Sequence, residues 1–309
     1  MGNNQIQLHH IAINVTNLER SRKFYREVLQ MTVGEPISLR EQSAGLKYGH
    51  SIIRHGPDIV KNWVSKVRPA AYRHMYSDIC HCSSAKGLIN LILVQQTHPE
   101  KGYTRSVTGN TIYGFSYLLS GDVDCDDLGW DLTIADVPFQ HGDCRTDGAA
   151  YSPDHDCHSV YIRDPDGRMI ELTPSTSEHE SEGLIIGTGH VTLYVTDMQE
   201  SIRFYVQRLG LCDITPDNIP RNPFKKNITW LGVPGSNPVI LLYQVMHPDG
   251  TREETGGYGL DHIALTIDIQ ANEVISDPPC VTNHPVGDSD IKNKYFTDPD
   301  GYVIEIIKP

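Results

Sequence analysis

No apolar stretch in the sequence approaches the roughly 20 residues that a helix needs to cross a bilayer, so a helical membrane protein is excluded. Runs of lysine and arginine are also missing. With 26 basic against 39 acidic residues the formal net charge is −13, a balance that disfavours a nucleic-acid surface. The first residues, Met1-Gly2-Asn3-Asn4-Gln5, are polar and lead straight into a strand-like segment, which predicts no signal peptide. Ile6 stands where a myristoylation motif needs Ser or Thr. Seven cysteines, an odd number without a secretory signal, read as free thiols in a reducing, cytoplasmic compartment.

What is present is repetition. Tyr295 to Glu305 reads YFTDPDGYVIE, and Tyr161 to Glu171 reads YIRDPDGRMIE. Each is an apolar strand, a tight Asp-Pro-Asp-Gly turn and a second apolar strand that holds one carboxylate. A carboxylate among apolar residues is costly unless a cation meets it. Upstream the same duplication recurs. His10, Val15, Thr16, Ser21 and Phe24-Tyr25 match His190, Val195, Thr196, Ser201 and Phe204-Tyr205. In both copies a strand is followed by a capping Thr-Asn or Thr-Asp and then a helical apolar stripe. Strands at 88–96, 113–119, 239–244 and 262–267 complete a strand–helix–strands unit that occurs about four times.

The repeat predicts an N-terminal domain over 1–175, a polar linker over 176–187 and a C-terminal domain over 188–309. Residues 34–87 read as an insertion with a helix around 59–67, and 140–157 as a loop. The Asp-Pro-Asp-Gly turns read as turn geometry rather than catalysis. The acidic stretches 122–127 and 178–182 read as solvated faces.

These motifs resemble the vicinal oxygen chelate superfamily, which includes glyoxalase I, bleomycin-resistance proteins and type I extradiol dioxygenases. The resemblance spans nearly the whole chain except 34–87. It implies an α+β fold of four βαβββ modules, paired into two curled, mixed-sheet, barrel-like domains. Four modules, with a C-terminal Tyr-x-x-Asp-Pro-x-Gly-x-x-x-Glu, look most like the extradiol dioxygenases. Lys294 stands where their signature carries an apolar residue, and no His lies at the usual upstream distance.

Metal ligands in this family come from the first and last strands of modules, which implies His190, His262 and Glu305 in the second half. Two imidazoles and a carboxylate form a facial triad suited to Fe(II), with Mn(II) close in preference. The bland alternative is a set of hydrogen-bonded core histidines. The equivalents in the first half are His10, Gly114 and Glu171; Gly114 offers no side-chain donor, so that half reads as a degenerate scaffold. If the modules pair differently, His10 joins His262 and Glu305. In the pair His9-His10, strand alternation favours His10 as the inward residue. His81, between Cys80 and Cys82, makes only a weak metal motif.

The resemblance further implies His247 as an acid/base residue and Tyr295 as a hydrogen-bond donor to substrate oxygen. Against these stand a plain His-Pro turn, as at His98-Pro99, and an aromatic packing role, as at Tyr161. The implied activity is cleavage of a catechol-like ring by O2, in a protein that assembles into homo-oligomers. Another metal-dependent isomerase, lyase or oxygenase of the superfamily is the second reading, and a metal-free binding protein the third.

Overall fold

A computed structural model describes residues 6–38, 77–85, 87–96, 112–138, 149–152, 157–175, 183–216, 226–245, 259–267 and 294–307. The first module supplies β1 (Ile6–Asn14), α1 (Leu18–Glu27), β2 (Thr32–Val33), β3 (Ile37–Ser38), β4 (Ser77–Ser83) and β5 (Ile89–Gln96). The second supplies β6 (Ile112–Leu119), α2 (Cys125–Ile134), β7 (Ala149–Ser152), β8 (Cys157–Arg163) and β9 (Met169–Pro174). The third supplies β10 (Ile185–Tyr194), α3 (Met198–Leu209), β11 (Cys212–Asp213), β12 (Lys226–Gly232) and β13 (Pro238–Val245). The fourth supplies β14 (Leu260–Ile267), β15 (Lys294–Thr297) and β16 (Val303–Ile307).

The helices begin where their caps dictate. Asn17 accepts from the Arg20 amide, and Asp197 accepts from the amides of Gln199 and Glu200. Gly210, at φ 77°, ends α3 in the left-handed conformation that glycine adopts without strain. The acidic stretch 122–127 is more than a solvated face. Asp124 caps α2 through the amides of Asp126 and Asp127, whose own carboxylates sit in the first turn. Within 140–157, read as loop, Ala149–Ser152 forms an edge strand on β8. The expected helix around 59–67, the 98–99 turn and the acidic stretch 178–182 lie outside the described residues.

The α+β class and the repeated modules stand, but the sheets do not follow the two sequence halves. One eight-stranded sheet runs β15-β16-β14-β1-β5-β4-β2, with β3 on β4, and so joins the first module to the fourth. The other runs β11-β12-β13-β10-β6-β9-β8-β7 and joins the second to the third. The junctions are antiparallel, β1 against β14 and β10 against β6. The division at 176–187 therefore separates sequence repeats rather than sheets.

Within each half the Asp-Pro-Asp-Gly turn ties neighbouring modules together. Asp166 accepts from the amide and hydroxyl of Thr16, and Asp300 from the amide and hydroxyl of Thr196 at 3.0 and 2.6 Å. Gly167 and Gly301 carry the positive φ, 84° and 88°, that closes each turn. Sheet pairing across halves and turn docking within halves link all four modules around one core. Ile11, Ile13, Phe115, Tyr117, Val191 and Ile263 all belong to that core. The opposite face of the first sheet carries a separate small apolar cluster of Ala12, Ile79, Ile92 and Val94.

Candidate metal centre

The site arises from the register of three neighbouring strands. His10 on β1 pairs with Ala264 on β14, and Ala264 pairs with Glu305 on β16. In the adjacent row Ala12 pairs with His262. Directly opposed residues share a sheet face, so these rows place His10, His262 and Glu305 on one side. Two alanines lie between them, and a methyl group leaves the longer side chains room to converge.

They do converge. The His10 and His262 Nε2 atoms are 3.1 Å apart, and Glu305 Oε2 lies 3.3 Å from His262 Nε2 and 3.7 Å from His10 Nε2. Donors about 2.1 Å from one ion stand roughly 3.0 Å apart at right angles and roughly 3.4 Å apart at tetrahedral angles. The observed separations match neighbouring positions around a single cation and leave further positions open. All three side chains are buried, Glu305 completely. Burial disfavours a charged His262 imidazole, yet hydrogen bonds to Asp261 and Glu305, together with their charges, lift its pKa to about 10. The two carboxylates thus create a strong preference for positive charge at this point, and the donor set fits a divalent metal.

The second sheet holds the corresponding constellation. His190 on β10 lies 3.6 Å from Glu171 on β9, whose Oε1 also accepts from Tyr161 at 3.0 Å and Thr173 at 3.2 Å. Gly114, opposite Thr192, occupies the place that His262 holds opposite Ala12. A Cβ there would fall 2.7 Å from the Met169 methyl and 2.8 Å from the Met169 carbonyl oxygen. Met169 thus fills the room an imidazole would take.

His262 and Glu305 therefore lie together, and the imidazole beside them is that of His10. The expected ligand His190 lies in the other sheet beside Glu171. The reason is the crossed pairing of modules: β14 takes β1 as its neighbour, not β10. Of the pair His9-His10, His10 is buried and His9 is exposed. Tyr295 stands opposite Glu305 in the β15–β16 register, as Tyr161 stands opposite Glu171. His247 lies outside the described residues.

His81 was paired in sequence with two cysteines, and the structure separates them. Cys80 and Cys82 point into the core on β4, while His81 pairs with Ile92 and so shares the face of the metal centre. Burial lowers its pKa, which disfavours the charged imidazole. Strand alternation between Cys80 and Cys82 was the signal that could have found it.

The comparisons agree with this architecture. The chain is 23% identical to a lactoylglutathione lyase from Schizosaccharomyces pombe over 98% of its own length and 96% of that protein. A probable lactoylglutathione lyase from Synechocystis is 29% identical over 38% of the chain and 92% of that protein. Among solved structures, a putative dioxygenase from Bacillus subtilis superposes with a TM-score of 0.59 at 16% identity, covering 99% of this chain and 86% of that one. Glyoxalase I from Zea mays superposes with a TM-score of 0.55 at 16% identity, covering 99% of this chain and 93% of that one. At such identities the structural likeness shows the fold alone. A family model matches residues 7–77 and 187–306, and the chain belongs to the Glyoxalase/Bleomycin resistance protein/Dioxygenase superfamily.

Proposed function

We propose that the protein is a divalent-metal enzyme in which His10, His262 and Glu305 hold the ion. Its substrate would be a small molecule that presents two adjacent oxygens. Fe(II) suits this donor set best, with Mn(II) next, and the bound metal would supply Lewis acidity and a route for electrons between substrate and O2. The favoured reaction is dioxygenation of a catechol-like ring.

One observation carries this reading. By the symmetry of the two modules, the position on β5 that matches Glu305 on β16 is Ile92, opposite Ala12. Hydrocarbon at that fourth position leaves a three-donor set with room for a chelating substrate and a second small ligand. The same side chain, with Ile79 and Val94, offers an apolar surface suited to a flat ring. The chain's own residues then have the proton to manage. A neutral imidazole accepts the proton of a ring hydroxyl as the diol binds. His247 is the sequence-derived candidate for that step, and His81 is a second candidate on the face of the site. Tyr295, whose backbone is in register with Glu305, is the sequence-derived candidate to donate a hydrogen bond to substrate oxygen.

A second reading is a lactoylglutathione lyase-type reaction on the same centre, favoured by the similarity to the Schizosaccharomyces pombe protein along the full chain. Oxygen dependence separates the two. Anaerobically purified protein is expected to contain about one iron per chain and to consume O2 with a catechol. His262→Ala and Glu305→Ala are expected to lose both metal and turnover. Turnover that persists without O2 selects the lyase, and metal retained in both variants defeats the assignment of the site.

A further inference from the structure

Neighbouring residues on a regular strand point to opposite faces, so the side chains of i and i+1 cannot bond each other. At the metal centre they do so twice. His9 Nδ1 lies 2.8 Å from His10 Nδ1, and Asp261 Oδ1 lies 2.8 Å from His262 Nδ1. The register gives the cause. On β1, Leu8 pairs with Leu265 and His10 with Ala264, which leaves His9 as an extra residue. On β14, Ala12 pairs with His262 and Ile13 with Leu260, which leaves Asp261 as an extra residue. Each is a β-bulge immediately before a metal-site histidine, and a bulge re-aims the side chains around it.

The bulge at His9 also resets the parity of β1. Leu8 faces the core before it and Ile11 after it, while His10 is released to the other face.

The second sheet provides an internal control. It has the same bulges at the same places: Thr188 pairs with Tyr117 and Val191 with Phe115, and Thr192 pairs with Gly114 while Leu193 pairs with Ile112. The residues at the positions of His9 and Asp261 are there Gly189 and Tyr113. Glycine has no side chain to offer, and a Cβ at Gly189 would fall 1.9 Å from the Ser116 hydroxyl. The bulges belong to the fold, but the His/Asp pair occurs only where the three donors are complete.

We infer that His9 and Asp261 are positioning residues built into these bulges, which hold the Nδ1 atoms of His10 and His262 so that both Nε2 lone pairs face the metal. With its Nε2 atom given to a metal, each imidazole carries its proton on Nδ1 and donates it, to His9 Nδ1 in one case and to Asp261 Oδ1 in the other. Asp261 adds a charge-assisted bond to its ligand, and His9 a neutral one. This inference rests on the metal assignment above.

The test is anaerobic titration of metal-free full-length protein with Fe(II), and with Co(II) as a coloured probe. His9→Leu and Asp261→Ala are expected to weaken metal binding by about 10- to 100-fold, the usual cost of losing such a partner. Thermal midpoints of the metal-free proteins are expected to stay near that of the parent, which a purely structural role would not allow. His9→Asn returns an acceptor oxygen close to the position of Nδ1 and is expected to recover most of the lost affinity. Parent-like affinity in both His9→Leu and Asp261→Ala overturns the inference while leaving the metal site intact. A parent protein that takes up no metal overturns both.

Discussion

At the residue scale, the contrast between the two constellations lies in a few side chains. His262 and Ala264 on one side stand against Gly114 and Ser116 on the other, with Met169 filling the space over Gly114. Restoring a ligand type is therefore not enough to restore a site. Gly114→His is expected to destabilise the fold by about 1–3 kcal/mol through overpacking. Metal stoichiometry is expected to stay at one per chain, and a second equivalent taken up by that variant would contradict this account.

Asp298 makes a second residue-scale case. Its counterpart Asp164 has the Arg168 guanidinium 2.8 Å away, whereas position 302 holds Tyr302, whose phenol donates to the Tyr194 carbonyl at 2.7 Å. Burial raises the Asp298 pKa to about 7, against the opposing hydrogen bonds from Tyr205 and the Tyr302 amide, while the nearby Asp300 charge adds to the rise. The folded protein thus keeps a proton that the unfolded chain releases near pH 4. The contribution of this group is full below about pH 4 and declines as pH rises towards 7. Asp298→Asn keeps an acceptor oxygen and cannot ionise. Its stability relative to the parent is expected to increase by about 1.4 kcal/mol per pH unit across that window. Urea unfolding of both proteins at several pH values checks this; parallel curves would refute it.

At the scale of elements, the Asp-Pro-Asp-Gly turns act as clasps rather than catalysts. Asp298 Oδ1 accepts from the Tyr302 amide inside the turn, while Asp300 reaches out to Thr196 and, at 3.3 Å, to the Ser201 hydroxyl. Asp300→Ala is expected to cost about 1–3 kcal/mol by stranding buried donors at the start of α3. Equilibrium denaturation measures this, and metal content is expected to change little because Asp300 bonds Thr196 and Ser201 rather than His10, His262 or Glu305. These clasps were legible as turns from composition, since Asp, Pro and Gly announce their geometry locally. That they also bridge modules was not, because the partner threonine lies 104 residues away in one case and 150 in the other.

At the scale of the whole molecule, the crossed pairing makes the halves interdependent. A fragment spanning 188–309 retains His262 and Glu305 but lacks β1, and with it His10 and the neighbour that covers β14. It is expected to bind metal poorly and to aggregate through the uncovered strand. Mixing it with a fragment spanning 1–175 is expected to restore both metal binding and solubility. A C-terminal fragment that binds metal as well as the full chain would return the ligand role to His190. No helix among the described residues is long and apolar enough to cross a membrane.

The sequence by itself determined the modules, the capped helices, the paired turns and the polar residues set into apolar strands. Each of these is written in a window of a few residues, by alternation, by cap chemistry or by the conformational freedom of glycine. His262 and Glu305, which lie 3.3 Å apart, were each legible as polar residues in apolar strands for the same reason. The third side chain of the cluster was decided by tertiary structure alone. His10 and His190 sit in strands with the same local pattern, and nothing within either segment says which strand will lie beside β14. That choice is made by the complementarity of edges and core faces separated by about 250 residues of chain. It brings His10 beside His262 and Glu305 and leaves His190 hemmed in beside Glu171.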